Sequence, residues 1–167
     1  TRRKKKLPTL IRKHLNHQKF DYQLYYSQYK GHAAELTRDA VSRKIDIVCA
    51  VGGDGSAHEV GVNLINSNSC LAIIPRGSGN GISNHMGIPN RTVRAIKCLN
   101  NCFQLQIDTV AVNDSHFLGI GGYGIDAFIA KKFDRSRKRG LKTYIKHTVQ
   151  EFYKYKPIQV EIEIEGK

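Results

Sequence analysis

Residues 45–60 read IDIVCAVGGDGSAHEV. The apolar run Ile45 to Val51 has the continuous hydrophobic character of a parallel strand covered on both faces. It ends in Gly52-Gly53-Asp54-Gly55, and Ser56-Ala57-His58-Glu59 then opens an amphipathic helix. Strand, tight glycine turn and helix N-terminus in that order present backbone N–H groups and the positive end of a helix dipole to an anion. A second unit of the same kind follows: Leu71 to Pro75 as a strand, then Arg76-Gly77-Ser78-Gly79-Asn80-Gly81 as its loop. Two such loops at the C-terminal ends of neighbouring parallel strands predict a cradle for a phosphorylated ligand.

Working outward from that pair, strands and helices alternate over the first hundred residues. A helix is predicted within residues 4–17, with Pro8 marking its start. Phe20 to Tyr26 has apolar even positions and reads as a strand. Ala33, Leu36, Ala40 and Val41 form one stripe of a helix over 31–43. Ser56 and Glu59 fit a capping box for the helix after the first glycine loop, and Thr92 to Asn100 predicts another helix. After Cys102 the pattern changes. Phe103 to Val112 and His116 to Ile120 predict a hairpin turning at Asn113-Asp114-Ser115, a helix is predicted over 141–155, and Ile158 to Glu165 alternates as a half-exposed strand whose partner lies elsewhere. The expected fold class is α/β: a Rossmann-like N-terminal domain with a parallel sheet over residues 1–102, then the start of an antiparallel β-sandwich over 103–167.

The 167 residues carry 27 lysines and arginines against 14 carboxylates, a formal net charge of +13. That balance favours an anionic partner: nucleotide, nucleic acid or an acidic membrane surface. No apolar run reaches the roughly 20 residues needed to span a bilayer, and the basic start, Thr1 to Lys6, lacks the apolar core of a signal peptide. Cys49, Cys70, Cys98 and Cys102 show no disulfide framework, which predicts a reduced, cytoplasmic protein. Cys98 and Cys102 share helical spacing, but no further Cys or His completes a tetrahedral metal set.

Four motifs in order resemble the catalytic domain of the diacylglycerol kinase and sphingosine kinase family: Gly52-Gly53-Asp54-Gly55-Ser56-Ala57-His58-Glu59-Val60, Ile74-Pro75-Arg76-Gly77-Ser78-Gly79-Asn80-Gly81, Ile107-Asp108, and Gly124-Ile125-Asp126-Ala127. Gly31-His32-Ala33 resembles a further family segment, with Ser27 where members often carry a Thr near the nucleotide. The chain departs from the diacylglycerol kinase pattern at Gly81, where many members have Asp, and at Val62-Asn63-Leu64, where Asn-Gly-Leu is usual. His58 and the GSGN loop lean toward the sphingosine kinase side.

The resemblance implies a two-domain lipid kinase holding ATP and Mg²⁺ in a cleft, with a lipid hydroxyl attacking the γ-phosphate in line. Such chemistry rests on positioning and charge neutralisation. Gly52, Gly53 and Gly55 would let the backbone approach phosphate. Gly77, Ser78, Gly79 and Asn80 would line the other side of the nucleotide, the last through its amide, with Ser27 and Ser56 nearby. Asp54 either activates the acceptor hydroxyl, directs a metal-bound water or caps the following helix; the resemblance points to catalysis. Glu59 completes the capping box or contributes to the nucleotide site. Asp108 and Asp126 are candidates for substrate contact, or ordinary turn carboxylates. Arg137 and Arg139, in the basic run 131–142, are candidates for reaching the ATP phosphates. The metal ligands stay unassigned.

The implied partner is a lipid at a membrane surface, met peripherally; nucleic acid is not expected, no stable protein partner is predicted, and a homodimer stays open. An NAD kinase, which shares the GGDG loop, and a basic nucleic-acid-binding module are the alternatives. The first is disfavoured by the later motifs. The second is disfavoured because aromatics are not interleaved with the basic run. By the same resemblance, the first strand of the family domain and the later part of the sandwich are expected to lie beyond the two ends of the chain, leaving this stretch inactive alone.

Overall fold

The computed structural model of the chain describes residues 6–119, 121–122, 124–125, 127–129, 131, 148, 152, 155–157 and 159–164. By contact the chain divides into two compact units, Thr1–Gly119 and Ile120–Lys167. The hairpin of residues 110–117 thus falls in the first unit, although the sequence pattern changes after Cys102.

Helix α1 spans Leu7–His14 with Pro8 in its first turn, where a missing N–H costs nothing. Helix α2, His32–Ser42, starts from Gly31 at φ 94°. Strand β1, Ile47–Gly52, runs straight into helix α3, Asp54–Gly61. Strand β2, Cys70–Pro75, leads to the short helix α4, Gly81–His85, and helix α5 covers Thr92–Leu99. β1 and β2 pair in parallel from Ile47↔Cys70 to Gly52↔Pro75.

Because side chains alternate across a strand, the sheet feeds two cores. Ile74 of β2, with Val51 beside it, packs against Leu7 and Ile11 of α1 and Ala95 and Ile96 of α5. Ala50 of β1, with Val48 and Leu71, packs against Val60 and Leu64, with Ala33 and Val41 of α2 alongside. The result is three layers, α1 and α5 on one face of the sheet, α2 and α3 on the other. Asn100 locks the first layer: its Oδ1 accepts from Asn16 N–H at 2.8 Å and its Nδ2 donates to the His14 carbonyl at 2.9 Å. That clamp satisfies a carbonyl of the last turn of α1 that has no intrahelical donor.

Several expectations differ from the structure. Residues 20–26 form no strand. Leu24 packs into the first core, but Tyr22, Tyr25 and Tyr26 are exposed; alternation marks an extended segment, and a ladder also needs a neighbouring strand edge. The hairpin forms as β3, Val110–Val112, and β4, Ser115–Phe117, paired antiparallel around Asn113 at φ 49°. It is shorter than expected: Phe103, Leu105 and Ile107 stay exposed with no ladder partner among the described residues. Residues 159–164 likewise form no strand, and Val160, Ile162 and Ile164 are exposed. No sandwich is therefore present among the described residues, and most of the helix expected over 141–155 lies outside them.

Candidate phosphate-binding site

The two glycine loops meet. A methyl on Gly53 would come within 3.0 Å of the Gly77 Cα, and a methyl on Gly77 would meet the Gly53 Cα at 2.6 Å and Asn80 Oδ1 at 2.8 Å. Arg76 N–H donates to the Gly52 carbonyl at 2.7 Å, carrying the strand pairing one step into the loops. Gly52 is required for a different reason: a Cβ there would collide with the Ser56 side chain. Gly55 is exposed and a Cβ on it would meet nothing within 4 Å. The amides of Asp54 and Gly55 belong to the first turn of α3, with no intrahelical acceptor. They line an open approach for an anion.

The expected capping box does not form. The N-cap of α3 is Gly53, with no side-chain cap bond, and Ser56 is already inside the helix, folded against Gly52. Glu59 instead leaves its own helix: Oε1 accepts from Ala34 N–H at 3.3 Å, in the first turn of α2. Asp54 does the same for α4. Its Oδ1 accepts from Ile82 N–H at 2.9 Å, so it caps the neighbouring helix rather than its own. Its Oδ2 has no hydrogen-bond donor among the described residues and faces Gly79, whose Cβ would come within 3.3 Å of it. Helices α2 and α4 begin on left-handed residues, Gly31 and Asn80, without caps of their own; both carboxylates of α3 supply what those ends lack.

Asn80, buried and at φ 54°, holds its loop closed. Oδ1 accepts from Gly77 N–H at 2.8 Å, while Nδ2 donates to the Gly77 carbonyl at 3.1 Å and to Asn90 Oδ1 at 2.9 Å. Both donor hydrogens of its amide are thus used within the protein, so Asn80 shapes the loop instead of presenting that amide outward as expected. Asn90 Nδ2 donates to Asn84 Oδ1 at 2.5 Å, and Asn84 Nδ2 to the Gly79 carbonyl at 3.1 Å. Asn84 and Asn90 were not among the candidates; three asparagines in and beside a glycine loop were the available signal, since their amides seek backbone partners in turns. Gly77, Ser78 and Gly79 are exposed along the loop.

The remaining candidates are dispersed or undescribed. Ser27 is exposed in the irregular stretch before α2. There His32 Nδ1 accepts from Gln28 N–H at 3.1 Å, and the His32 ring stacks on Tyr29 at 4.5 Å. The Tyr29 hydroxyl donates to Glu35 at 2.6 Å, which raises the phenol's pKa. Asp108 is exposed, before β3. Asp126, Arg137 and Arg139 lie outside the described residues. Among the described residues no three His, Cys, Asp or Glu side chains cluster as a metal site, Cys98 and Cys102 included, and no helix is long and apolar enough to cross a membrane.

Residues 1–112 match the diacylglycerol kinase catalytic domain family, and the chain belongs to that family. A diacylglycerol kinase of Bacillus subtilis is 29% identical over 142 residues, 82% of this chain and 47% of that protein. A probable YegS-like lipid kinase of Klebsiella pneumoniae is 29% identical over 80% of this chain and 46% of its own length. An uncharacterized protein of Synechocystis sp. is 33% identical over 72% of this chain and 28% of its own. The crystal structure of a diacylglycerol kinase from Bacillus anthracis str. Sterne superposes with a TM-score of 0.55 at 29% identity, covering 59% of this chain and 36% of that one. The chain thus spans less than half the length of each of these relatives.

Proposed function

We propose that this chain carries the nucleotide-binding wall of an ATP-dependent lipid kinase, one that transfers the γ-phosphate to a diacylglycerol- or sphingosine-like hydroxyl. The observation that carries the proposal is the contact of Gly53 with Gly77, which fuses two glycine loops into one cradle with Asp54 set between them. A phosphate chain laid against Gly55 would take the free amides of the first turn of α3 and the positive end of that helix. Ser78 offers a hydroxyl from the other loop.

The donor set fits one Mg²⁺. Mg²⁺ is ordinarily held by one or two carboxylates together with substrate phosphates and water, and Asp54 Oδ2 is an unengaged carboxylate oxygen beside the cradle. Bound there, the ion would neutralise charge on the phosphates. Asp54 itself would hold the metal or accept the proton of the acceptor hydroxyl, its position fixed by the bond from Ile82. Asp108, Asp126, Arg137 and Arg139 stay in this reading as residues that would approach acceptor and phosphates, and Ser27 and Glu59 as neighbours of the nucleotide. The site would work at the membrane surface, on the cytoplasmic side.

The test is transfer of radiolabelled γ-phosphate by the full-length protein to a panel containing diacylglycerol, sphingosine and phosphatidylglycerol, with NAD as the competing acceptor. Labelling of one of these lipids supports the reading. Labelling of NAD alone, or of none of them by a protein that is folded and binds ATP, overturns it.

A further inference from the structure

Glu59 lies in the second half of α3 and Asn63 just past its C-cap, four residues on. On α2, Ala34 and Arg38 have the same spacing, one helical turn. The four residues meet as two rungs. Ala34 N–H donates to Glu59 Oε1 at 3.3 Å, Arg38 Nη1 donates to Asn63 Oδ1 at 2.9 Å, and Asn63 Nδ2 donates to the Glu59 carbonyl at 2.8 Å, tying one rung to the other. Glu59 is half-buried and in no ion pair among the described residues, so the start of α2, with its positive dipole end, is what balances its charge. Asn63 stands where an Asn-Gly-Leu sequence would place glycine. A glycine there could make neither of its bonds.

This clasp reaches the glycine loops through the topology. Ala33 and Val41, near opposite ends of α2, both pack on the second core, so the helix runs along the sheet. Ile45 N–H donates to the Ala40 carbonyl at 3.0 Å and Lys44 turns at φ 56°, which sends the chain straight back into β1. The start of α2 therefore lies at the end of the sheet where β1 enters its glycine loop. The residues ahead of α2 are folded onto that start: Gln28 N–H donates to His32 Nδ1, His32 N–H to the Tyr29 carbonyl at 3.3 Å, and the Tyr29 hydroxyl to Glu35. Segment 27–31 thus moves with the first turn of α2, and that turn is held by Glu59. With Glu35 in the first turn and Glu59 on the Ala34 amide, this helix start already carries negative charge. Phosphate is repelled there and drawn to α3, which leaves the uncharged end of a nucleotide for α2.

Resting on the nucleotide-binding reading above, we propose that Glu59 and Asn63 are positioning residues for the nucleoside. They touch no ligand, and they set ATP affinity by holding segment 27–31 in place at the loop end of the sheet. Glu59 supplies the inner rung through the Ala34 amide, and Asn63 the outer one through Arg38. A small displacement of a binding segment is enough to cost a large factor in a site built on positioning.

The experiment measures binding of ATP and of inorganic tripolyphosphate, each with Mg²⁺, to the full-length protein by calorimetry. Tripolyphosphate reads the glycine cradle alone. Glu59→Ala should lose roughly ten- to a hundredfold in ATP affinity and keep most of its affinity for tripolyphosphate. Glu59→Gln retains an oxygen for the Ala34 amide and should recover most of that loss. Arg38→Ala, at an exposed position, removes the outer rung alone and should show a smaller loss confined to ATP, which keeps the test open should Glu59→Ala fail to fold. In wild type, hydrogen exchange should show ATP protecting segment 27–31 and tripolyphosphate leaving it unprotected. Equal losses for both ligands would reduce the clasp to a structural contact and overturn the proposal. So would a Gln variant as weak as the Ala variant, which would make Glu59 a direct contact, or ATP protection confined to the glycine loops. Wild type that binds ATP in the expected pattern but labels no lipid overturns the kinase reading and leaves the positioning role standing; wild type that binds no ATP overturns both.

Discussion

At Asp54 the two carboxylate oxygens face different neighbours, Oδ1 the Ile82 amide and Oδ2 the open side near Gly79. Asp54→Asn retains an oxygen for Ile82 and removes the charge. Its unfolding free energy should change by less than about 1 kcal/mol, while phosphate transfer falls by roughly 10²- to 10⁴-fold. Asp54→Ala removes the cap as well and should cost about 0.5–2 kcal/mol; urea melts beside the transfer assay separate the two losses. The glycines divide in the same manner. Gly77→Ala drives a methyl into the Gly53 backbone and should destabilise the folded chain by about 1–3 kcal/mol. Gly55→Ala meets open space, so its melt should be unchanged or raised, helix propensity favouring Ala by up to about 1 kcal/mol, while ATP affinity measured by calorimetry falls. The glycine loops were legible as residues because they follow strands. The outward reach of Asp54 and Glu59 was not, since Ser-x-x-Glu spacing describes a helix capping itself and says nothing of uncapped neighbours at Gly31 and Asn80.

At the scale of elements, the loop after β2 depends on side chains ten residues further on. Asn90→Ala leaves one donor of Asn80 and one acceptor of Asn84 without their partner, and it should cost about 1–3 kcal/mol of stability and weaken ATP binding without any contact to the nucleotide. Valine scanning elsewhere in 86–90 should not reproduce the ATP effect. At α5, Arg94→Gln removes a cation from a first turn and should raise stability by about 0.3–1 kcal/mol, read as a small rise in Tm; a fall would assign Arg94 a structural role. β1, β2 and the helix between them were legible because apolar runs of strand length end in glycine turns and a helix begins there. The segment 20–26 was misread because alternation reports which side of a strand is apolar, and pairing is decided by what lies beside it.

For the molecule as a whole, the layers of the first unit were largely readable from sequence, and the expectations for residues 120–167 fall mostly outside the described residues. The three layers follow from strands whose alternate residues feed two cores, Ile74 toward α1 and α5 and Ala50 toward α2 and α3. Among the described residues, antiparallel structure after Cys102 is the short hairpin, and the apolar alternations of 103–107 and 160–164 are exposed, because long-range strand pairing leaves no local mark in either partner. Helix α3 is tied through its two carboxylates to the starts of two other helices, Glu59 to α2 and Asp54 to α4. An anion drawn to the free amides of its first turn would therefore pull on three helices at once, so that the layers of the first unit would answer to a ligand as one linked set.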